Sequence, residues 1–281
     1  MTCLRFSLLL AAGLALWAGP VFSETEEAFL ESGWMAYQRG DYSRAISLYE
    51  EQALASPKDA GLRYDLGCMH ILEGDFLKGR ECLLEALSLD PNLAGAYDAL
   101  GQLYERWERP EWSKPLYATA VELSPQDTRF LWHLARIHIR FDDPVPAQQA
   151  LRQMLLFSPE NMEVRYQLAV LELQTGEPEQ AVRDFRDVLD RLPDHLMALN
   201  GLGLAYLRLN KGPEAAEALE RARALRPNHP VTQTNLGILA ARQEQWEEAT
   251  AAWRRALQAN PGFGPARRNL ERFKMKAAPK R

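Results

Sequence analysis

Seven prolines, Pro57, Pro91, Pro125, Pro159, Pro193, Pro227 and Pro261, stand 34 residues apart without a slip. A chain that returns to itself at such an interval is one small structural unit copied in tandem, and each copy must bury its apolar face against its neighbours. Residues 86 to 104, "ALSLDPNLAGAYDALGQLY", show the unit's joint. The pattern is helix-like up to Leu89, breaks at Asp90-Pro91-Asn92, and resumes toward Leu100 and Gly101. Proline lacks the N–H that a continuing helix needs and its ring collides with the preceding turn, so each one marks a break.

The same interval locates two further classes of residue. Ten positions after each proline, or before the first, lie Gly33, Gly67, Gly101, Ala135, Ala169, Gly203 and Gly237. Twelve positions later come Ala45, Gly79, Ser113, Ala147, Ala181, Ala215 and Ala249. Small residues on two helices let their backbones approach closely where the helices cross. Large apolar residues flank them: Leu66, Leu100, Leu134, Leu168, Leu202 and Leu236 on the first helix, and Leu83, Tyr117, Leu151, Phe185, Leu219 and Trp253 on the second. The turns inside the units read "RGDY" at 39–42, "EGDF" at 73–76, "TGEPEQ" at 175–180 and "NKGPEA" at 210–215, with Gly ending one helix and, in the last two, Pro opening the next. The third copy departs from this pattern with "ERPEWSKPLYATA", where Pro115 is tolerated only if the second helix starts near Trp112.

Period, Leu-Gly followed by Tyr (Leu100-Gly101 and Tyr104), the small residue of the second helix and the closing Pro together resemble the tetratricopeptide repeat family. The resemblance spans seven repeats, about residues 26 to 261. It implies an all-α, right-handed superhelical solenoid of antiparallel helix pairs, with repeats over 24–261 and a capping helix and basic tail over 262–281. It also implies a concave groove, built mainly from the first helices, that holds a peptide or protein.

Residues 1–23 differ from the rest. Arg5 precedes the apolar "FSLLLAAGLALWAG", and small residues end the stretch at Ser23, the pattern of a cleaved secretory signal peptide. The apolar run is shorter than the roughly 20 residues of a spanning helix, although an uncleaved anchor is the alternative. Export to a bacterial periplasm or cell envelope is the expectation. Loss of Arg5 would take the net charge from −5 to −5 − 1 = −6, which argues against a whole-surface nucleic-acid footprint. Residues 262–281 carry seven cations, Lys280 and Arg281 among them, against Glu271, or 7 − 1 = +6. That tail is the one place where membrane contact is conceivable, and a solvated helix end explains it equally well. Cys68 and Cys82 remain in the mature chain, either as a disulfide or as two small buried side chains.

Mapping the family's groove positions onto this chain points to Trp34, Tyr37, Tyr64, Arg129, Trp132, Arg136, Arg140, Tyr166, Asn200, Arg208 and Arg242. Aromatic and Arg side chains combine buried area with directional contacts and are enriched where partners bind. The fourth repeat concentrates them: three guanidiniums share a helix face with Trp132, an arrangement that suits an acidic segment or a terminal carboxylate. Pairing of those Arg residues with acids of neighbouring repeats is the competing expectation. Leu30, Trp34 and Asp65 hold the places where some family members carry a Lys/Asn carboxylate clamp, so that clamp is not expected. The five histidines are scattered, and the chain holds no HExxH, CxxC or phosphate-cradling Gly loop. The expectation is therefore a non-catalytic scaffold without cofactor or metal, with a protein or peptide partner, no nucleic acid and an undetermined oligomeric state. A polymer-binding module that stacks sugars on the groove aromatics, or a self-associating array, stays open beside it.

Overall fold

The computed structural model describes the backbone of residues 33–277 and the side chains of 33–273. The leader over 1–23 and the end of the basic tail lie outside these residues. Helices make up the described chain in tandem, and no strand occurs among the described residues. No described helix is long and apolar enough to cross a membrane.

The chain forms two compact units, residues 1–142 and 143–281. In the first, α1 (33–38 described) and α2 (Tyr42–Ala55) are followed by α3 (Ala60–Glu73) with α4 (Phe76–Leu89), then α5 (Ala94–Arg106) with α6 (Ser113–Leu123), and finally α7 (Thr128–Arg140). The second starts with α8 (Pro144–Phe157), continues through the pairs α9 (Met162–Thr175) with α10 (Pro178–Arg191), α11 (Leu196–Arg208) with α12 (Gly212–Leu225) and α13 (Pro230–Arg242) with α14 (Trp246–Ala259), and ends on α15 (Gly264–Ala277). Inside each unit every helix packs on the next one in sequence.

The periodic prolines sit at the joints between pairs, each one residue into a tight turn. The carbonyl before each proline accepts an N–H three residues on: Ser56 from Asp59, Asp90 from Leu93, Ser124 from Asp127, Ser158 from Asn161, Leu192 from His195, Arg226 from His229 and Asn260 from Phe263, at 3.0–3.3 Å. Proline's fixed φ suits that position, and its missing N–H breaks no bond there. At four of these joints the side chain at the turn's end caps the next helix, Asp59 accepting from Gly61 and Leu62, Asp127 from Arg129, Asn161 from Val164 and His195 from Ala198, whereas Leu93 and His229 make no such bond. In unit two the sixth residue after the proline returns to the joint: Arg165, Gln233 and Arg267 donate to the carbonyls of Pro159, Pro227 and Pro261.

The turns within the pairs obey a rule that the glycine pattern conceals. Gly40, Gly74, Glu108, Asp142, Gly176, Asn210 and Glu244, again 34 apart, all take a left-handed backbone with φ between 53° and 98°. In "NKGPEA" the left-handed residue is Asn210, and Gly212 is the first residue of α12, so the helix stop there is not the glycine. A glutamate in this region carries steric strain of order 1–2 kcal/mol that glycine lacks, partly offset by glycine's larger loss of backbone entropy. Glu244→Gly is expected to raise stability by about 0.5–1 kcal/mol, read as a higher denaturation midpoint; a lower one would show that the Glu244 side chain outweighs its backbone. The third repeat solves its proline problem with a 3-10 turn over Pro110–Trp112, which leaves Pro115 in the first turn of α6, where its N–H is not needed.

The helix crossings hold the core. Gly67 and Gly79 meet backbone to backbone, since a Cβ on either would lie 3.1 Å from the other's carbonyl oxygen. Ser113 Oγ donates to the Gly101 carbonyl at 2.8 Å, so the one polar member of the small set is satisfied by its partner. Tyr117, Phe185, Leu83, Leu151 and Leu219 are wholly buried beside these crossings. Cys68 and Cys82 form no disulfide and lie in different parts of the core, the first packed with Ile71 and Leu83, the second against the cluster of Ala45, Tyr49 and Leu62. On α15, Ala266, Leu270 and Phe273 cover the last pair while Arg267, Arg268, Glu271 and Arg272 face water.

Candidate functional site

In unit one the first helices present an aromatic beginning and a basic end. Trp34 and Tyr37 stack at 5.3 Å between ring centroids, and both are half-buried against the first core cluster. Tyr64 of α3 packs half-buried on the second, with its hydroxyl beside Gly95 of α5. On α7, Trp132 is half-buried, while Arg129, Arg136 and Arg140 expose 54%, 47% and 51% of their side chains. These guanidiniums are held in place. Arg129 forks onto Asp127, the cap of its own helix, through Nε at 3.0 Å and an Nη at 2.6 Å. Arg136 meets both carboxylate oxygens of Glu105 on α5 at 3.0 and 3.1 Å, and Arg140 approaches the same carboxylate at 3.9 Å.

Glu105 is therefore the organiser of this face. It also accepts the Tyr117 hydroxyl at 2.8 Å. Burial first, and then the Glu105 charge, push the Tyr117 phenol well above its usual range. About two helical turns nearer the N-terminus of α5, Asp98, only 5% exposed, takes Gln102 at 2.7 Å and His133 Nδ1 at 2.6 Å. Arg129, Arg136 and Arg140 set against Asp127 and Glu105 sum to 3 − 2 = +1, before the buried Asp98 is counted. Pairing with an acid of the neighbouring repeat thus occurs for Arg136 and Arg140, while Arg129 pairs within its own repeat, and about half of each Arg side chain stays exposed.

Unit two uses the corresponding positions differently. Tyr166 lies half-buried against Phe185 and His195, with ring centroids 6.0 and 5.1 Å away. Asn200 is 2% exposed and donates to the Leu196 carbonyl at 2.8 Å, while its own backbone carbonyl accepts from Asn235 at 3.3 Å. Arg208 and Arg242 each reach back 35 residues to a main-chain carbonyl in the last turn of the preceding first helix, Leu173 and Leu207, and Arg242 also donates to Asn210 at 2.8 Å. Arg106 makes the same contact with Ile71 at 3.4 Å in unit one. Helix C-termini leave carbonyls unsatisfied, and a cation there answers both the hydrogen bond and the dipole. At this repeat position Arg thus ties one first helix to the one before.

Sequence reasoning overlooked a cluster between α8, α9 and α10. Glu172, 2% exposed, accepts Arg152 at 3.1 Å, and the same guanidinium bridges to Glu177 at 3.1 Å. Nearby, Arg165 contacts Asp184 at 3.0 Å and Asp187 at 3.1 Å. The equivalent places in the other repeats hold Ala36, His70, Tyr104, His138, Tyr206 and Ala240, so a carboxylate at 172 was the available signal. Its importance depends on knowing that this face of the helix is covered. Burial, with the Asp184 charge second, raises the Glu172 carboxyl from its ordinary 4.5 to about 7.

That shift carries a stability prediction. Between the ordinary and the raised value the folded state binds more protons than the unfolded one, so stability falls as pH climbs from about 4.5 to about 7 and is level on either side, for this group alone. The span is about 3 kcal/mol at 1.4 kcal/mol per unit. Urea denaturation of Glu172→Gln beside the parent chain should show the difference in stability changing across that window; parallel curves would show that Glu172 does not titrate there.

Two sequence profiles described as tetratricopeptide repeat match the chain, one over residues 30–94 and 166–230, the other over 94–127. The chain belongs to the tetratricopeptide repeat family, whose members are in general non-catalytic scaffolds for binding peptides and proteins. Among solved structures it is similar to YrrB, described as a tetratricopeptide repeat protein with an unusual peptide-binding site, at 19% identity and a TM-score of 0.61 over 69% of this chain and 97% of that one. It is also similar to a tetratricopeptide repeat protein from Parabacteroides merdae, with 17% identity, a TM-score of 0.53 and coverage of 89% and 98%. Pseudomonas aeruginosa pilF matches at 17% identity and a TM-score of 0.54, over 77% and 98% of the two chains. A comparison with curated proteins returns no match.

Proposed function

We propose that this protein is an exported, non-catalytic scaffold that holds an acidic protein or peptide segment on its first-helix face and so helps assemble a cell-envelope complex. The observation that carries the reading is the face of α7: three half-exposed guanidiniums, fastened by Asp127 and Glu105, beside half-buried Trp132. Because their positions are already set, an incoming carboxylate meets ordered donors, and less conformational entropy is lost on binding. Arg136 and Arg140 share one carboxylate, which leaves charge for a second acid to neutralise. The peptide-binding site described for YrrB supports the mode of recognition by analogy of fold. The leader-like residues 1–23 support the envelope location.

Crosslinking in the native envelope followed by mass spectrometry tests this, comparing the parent chain with a Trp132→Ala, Arg136→Glu double variant. One crosslinked protein should be lost selectively, and its capture should weaken with added salt. Survival of every crosslink in the variant would remove α7 from the binding face.

A further inference from the structure

Another face of α9 forms the floor of a second candidate site. At 100° per residue, Arg165, Leu168 and Glu172 lie about 100° to 160° around the helix from the groove position Tyr166. With walls from α8 and α10 they enclose a cleft of about 550 Å³, within the range of small-ligand sites.

Three features define what this cleft can take. Glu172 is buried and only half satisfied: one carboxylate oxygen takes Arg152, whereas Oε2 has no hydrogen-bond partner. A buried acceptor left in this state is costly, and a donor arriving in the cleft would recover that cost. The charge balance also favours a cation. Arg152 is clasped by Glu172 and Glu177, Arg165 by Asp184 and Asp187, and Arg183 stands at the rim, giving −4 + 2 + 1 = −1 with all carboxylates ionised. Finally, Leu155, Leu156 and Leu168 supply an aliphatic wall, of which Leu156 is 78% exposed. Most other repeats carry a polar residue at that position, Ser88, Glu122, Asp190 and Gln258.

We propose that this cleft binds a primary ammonium carried on an unbranched aliphatic stem, the chemistry of a lysine side chain or a free alkyl diamine. The stem lies along Leu155, Leu156 and Leu168, and the ammonium donates to Oε2 of Glu172. Such amphipathic stems pack on apolar surface while the charged head reaches a polar partner. A guanidinium fits less well, because its planar fork seeks two coplanar acceptors and Arg152 already holds the other oxygen of Glu172. An anion would find Arg152 and Arg165 each clasped by two carboxylates, with Arg165 Nε as the one buried donor there that lacks a partner, and it would face the unpaired Oε2 of Glu172. Oε2 is covered as the side chains now stand, so entry requires a side-chain movement at the cleft that leaves Arg152 on the other oxygen. The site is independent of the first-helix groove.

Isothermal titration of the full chain at about pH 8 decides the matter, with Nα-acetyl-lysine amide, 1,5-diaminopentane and, as the isostere without charge, Nα-acetyl-norleucine amide. A charge-assisted hydrogen bond to a buried oxygen should make lysine amide bind about ten-fold or more tighter than norleucine amide. Glu172→Gln should abolish that preference, with circular dichroism confirming its fold. Leu156→Ser, at an exposed site outside the packed core, should weaken both amines about three-fold through lost apolar contact. Acidification to about pH 5.5 should weaken binding as Glu172, which faces Arg152 from α8, Glu177 just before α10, Arg183 and Asp184 on α10 and Arg165 on its own helix, takes up a proton. Tighter binding of a lysine-containing peptide than of the diamine would assign the ammonium to a protein, and the reverse to a free amine. Equal affinity for lysine and norleucine amides, no heat from any amine, or undiminished lysine preference in Glu172→Gln would overturn the proposal. Trp132→Ala with Arg136→Glu should leave amine binding as it is, which separates this site's failure from that of the groove.

Discussion

Phe185→Ala should cost about 4 kcal/mol of unfolding free energy, within the range for truncating a fully buried phenylalanine. The ring has no exposed surface and sits in the core with Val188, Leu199 and Leu202. It lies directly over Gly201 of α11, where even a Cβ would collide with it, and against the ring of Tyr166. Gly201 has no side chain with which to fill the space, and α11 approaches no closer without moving Tyr206 and Leu207, which are themselves packed in the same core. The cavity therefore persists and the full penalty is expected. In a repeat array each unit couples mainly to its neighbours, so hydrogen exchange should quicken first in α9, α10 and α11. A loss under about 1 kcal/mol would mean that the site collapses, contrary to the rigid crossing described above.

Gly101→Leu acts in the opposite sense, by overfilling. Its Cβ would stand 2.5 Å from Cε1 of Tyr117, a ring with no exposed surface. Overpacking of this kind costs about 1–3 kcal/mol or more, and here the upper end is expected because two hydrogen bonds depend on the crossing. Ser113 bonds the Gly101 carbonyl itself, and Tyr117 bonds Glu105. Since Glu105 also positions Arg136, displacing the tyrosine should loosen the basic face of α7. The measurement is the denaturation midpoint together with the salt dependence of partner capture. An unchanged midpoint would contradict the helix register itself.

Much of this architecture is legible without coordinates, because its repeat is strict. The 34-residue proline spacing announces tandem helix pairs, and the paired small positions announce their crossings. Legibility declines where one repeat position is filled by different chemistry. Glu108, Asp142, Asn210 and Glu244 adopt the backbone that glycine adopts in the other turns, since the turn's closure imposes it whatever the side chain. The candidate groove residues were locatable by position and not by role. Arg136 and Arg208 look alike in a sequence, yet one half-exposed guanidinium meets Glu105 and the other is fastened to the Leu173 carbonyl.

The sequence by itself determined the unit, its period, its helical character and the faces on which small and large residues meet, since these depend on local periodicity and on proline's missing donor. Only the tertiary structure decided which charges are paired, which carbonyls are capped and which carboxylate is buried with an oxygen to spare. Those outcomes depend on distances between side chains 20 to 35 residues apart, as in Arg152 with Glu172 and Asp98 with His133. Helix packing sets such distances, and no single repeat encodes them.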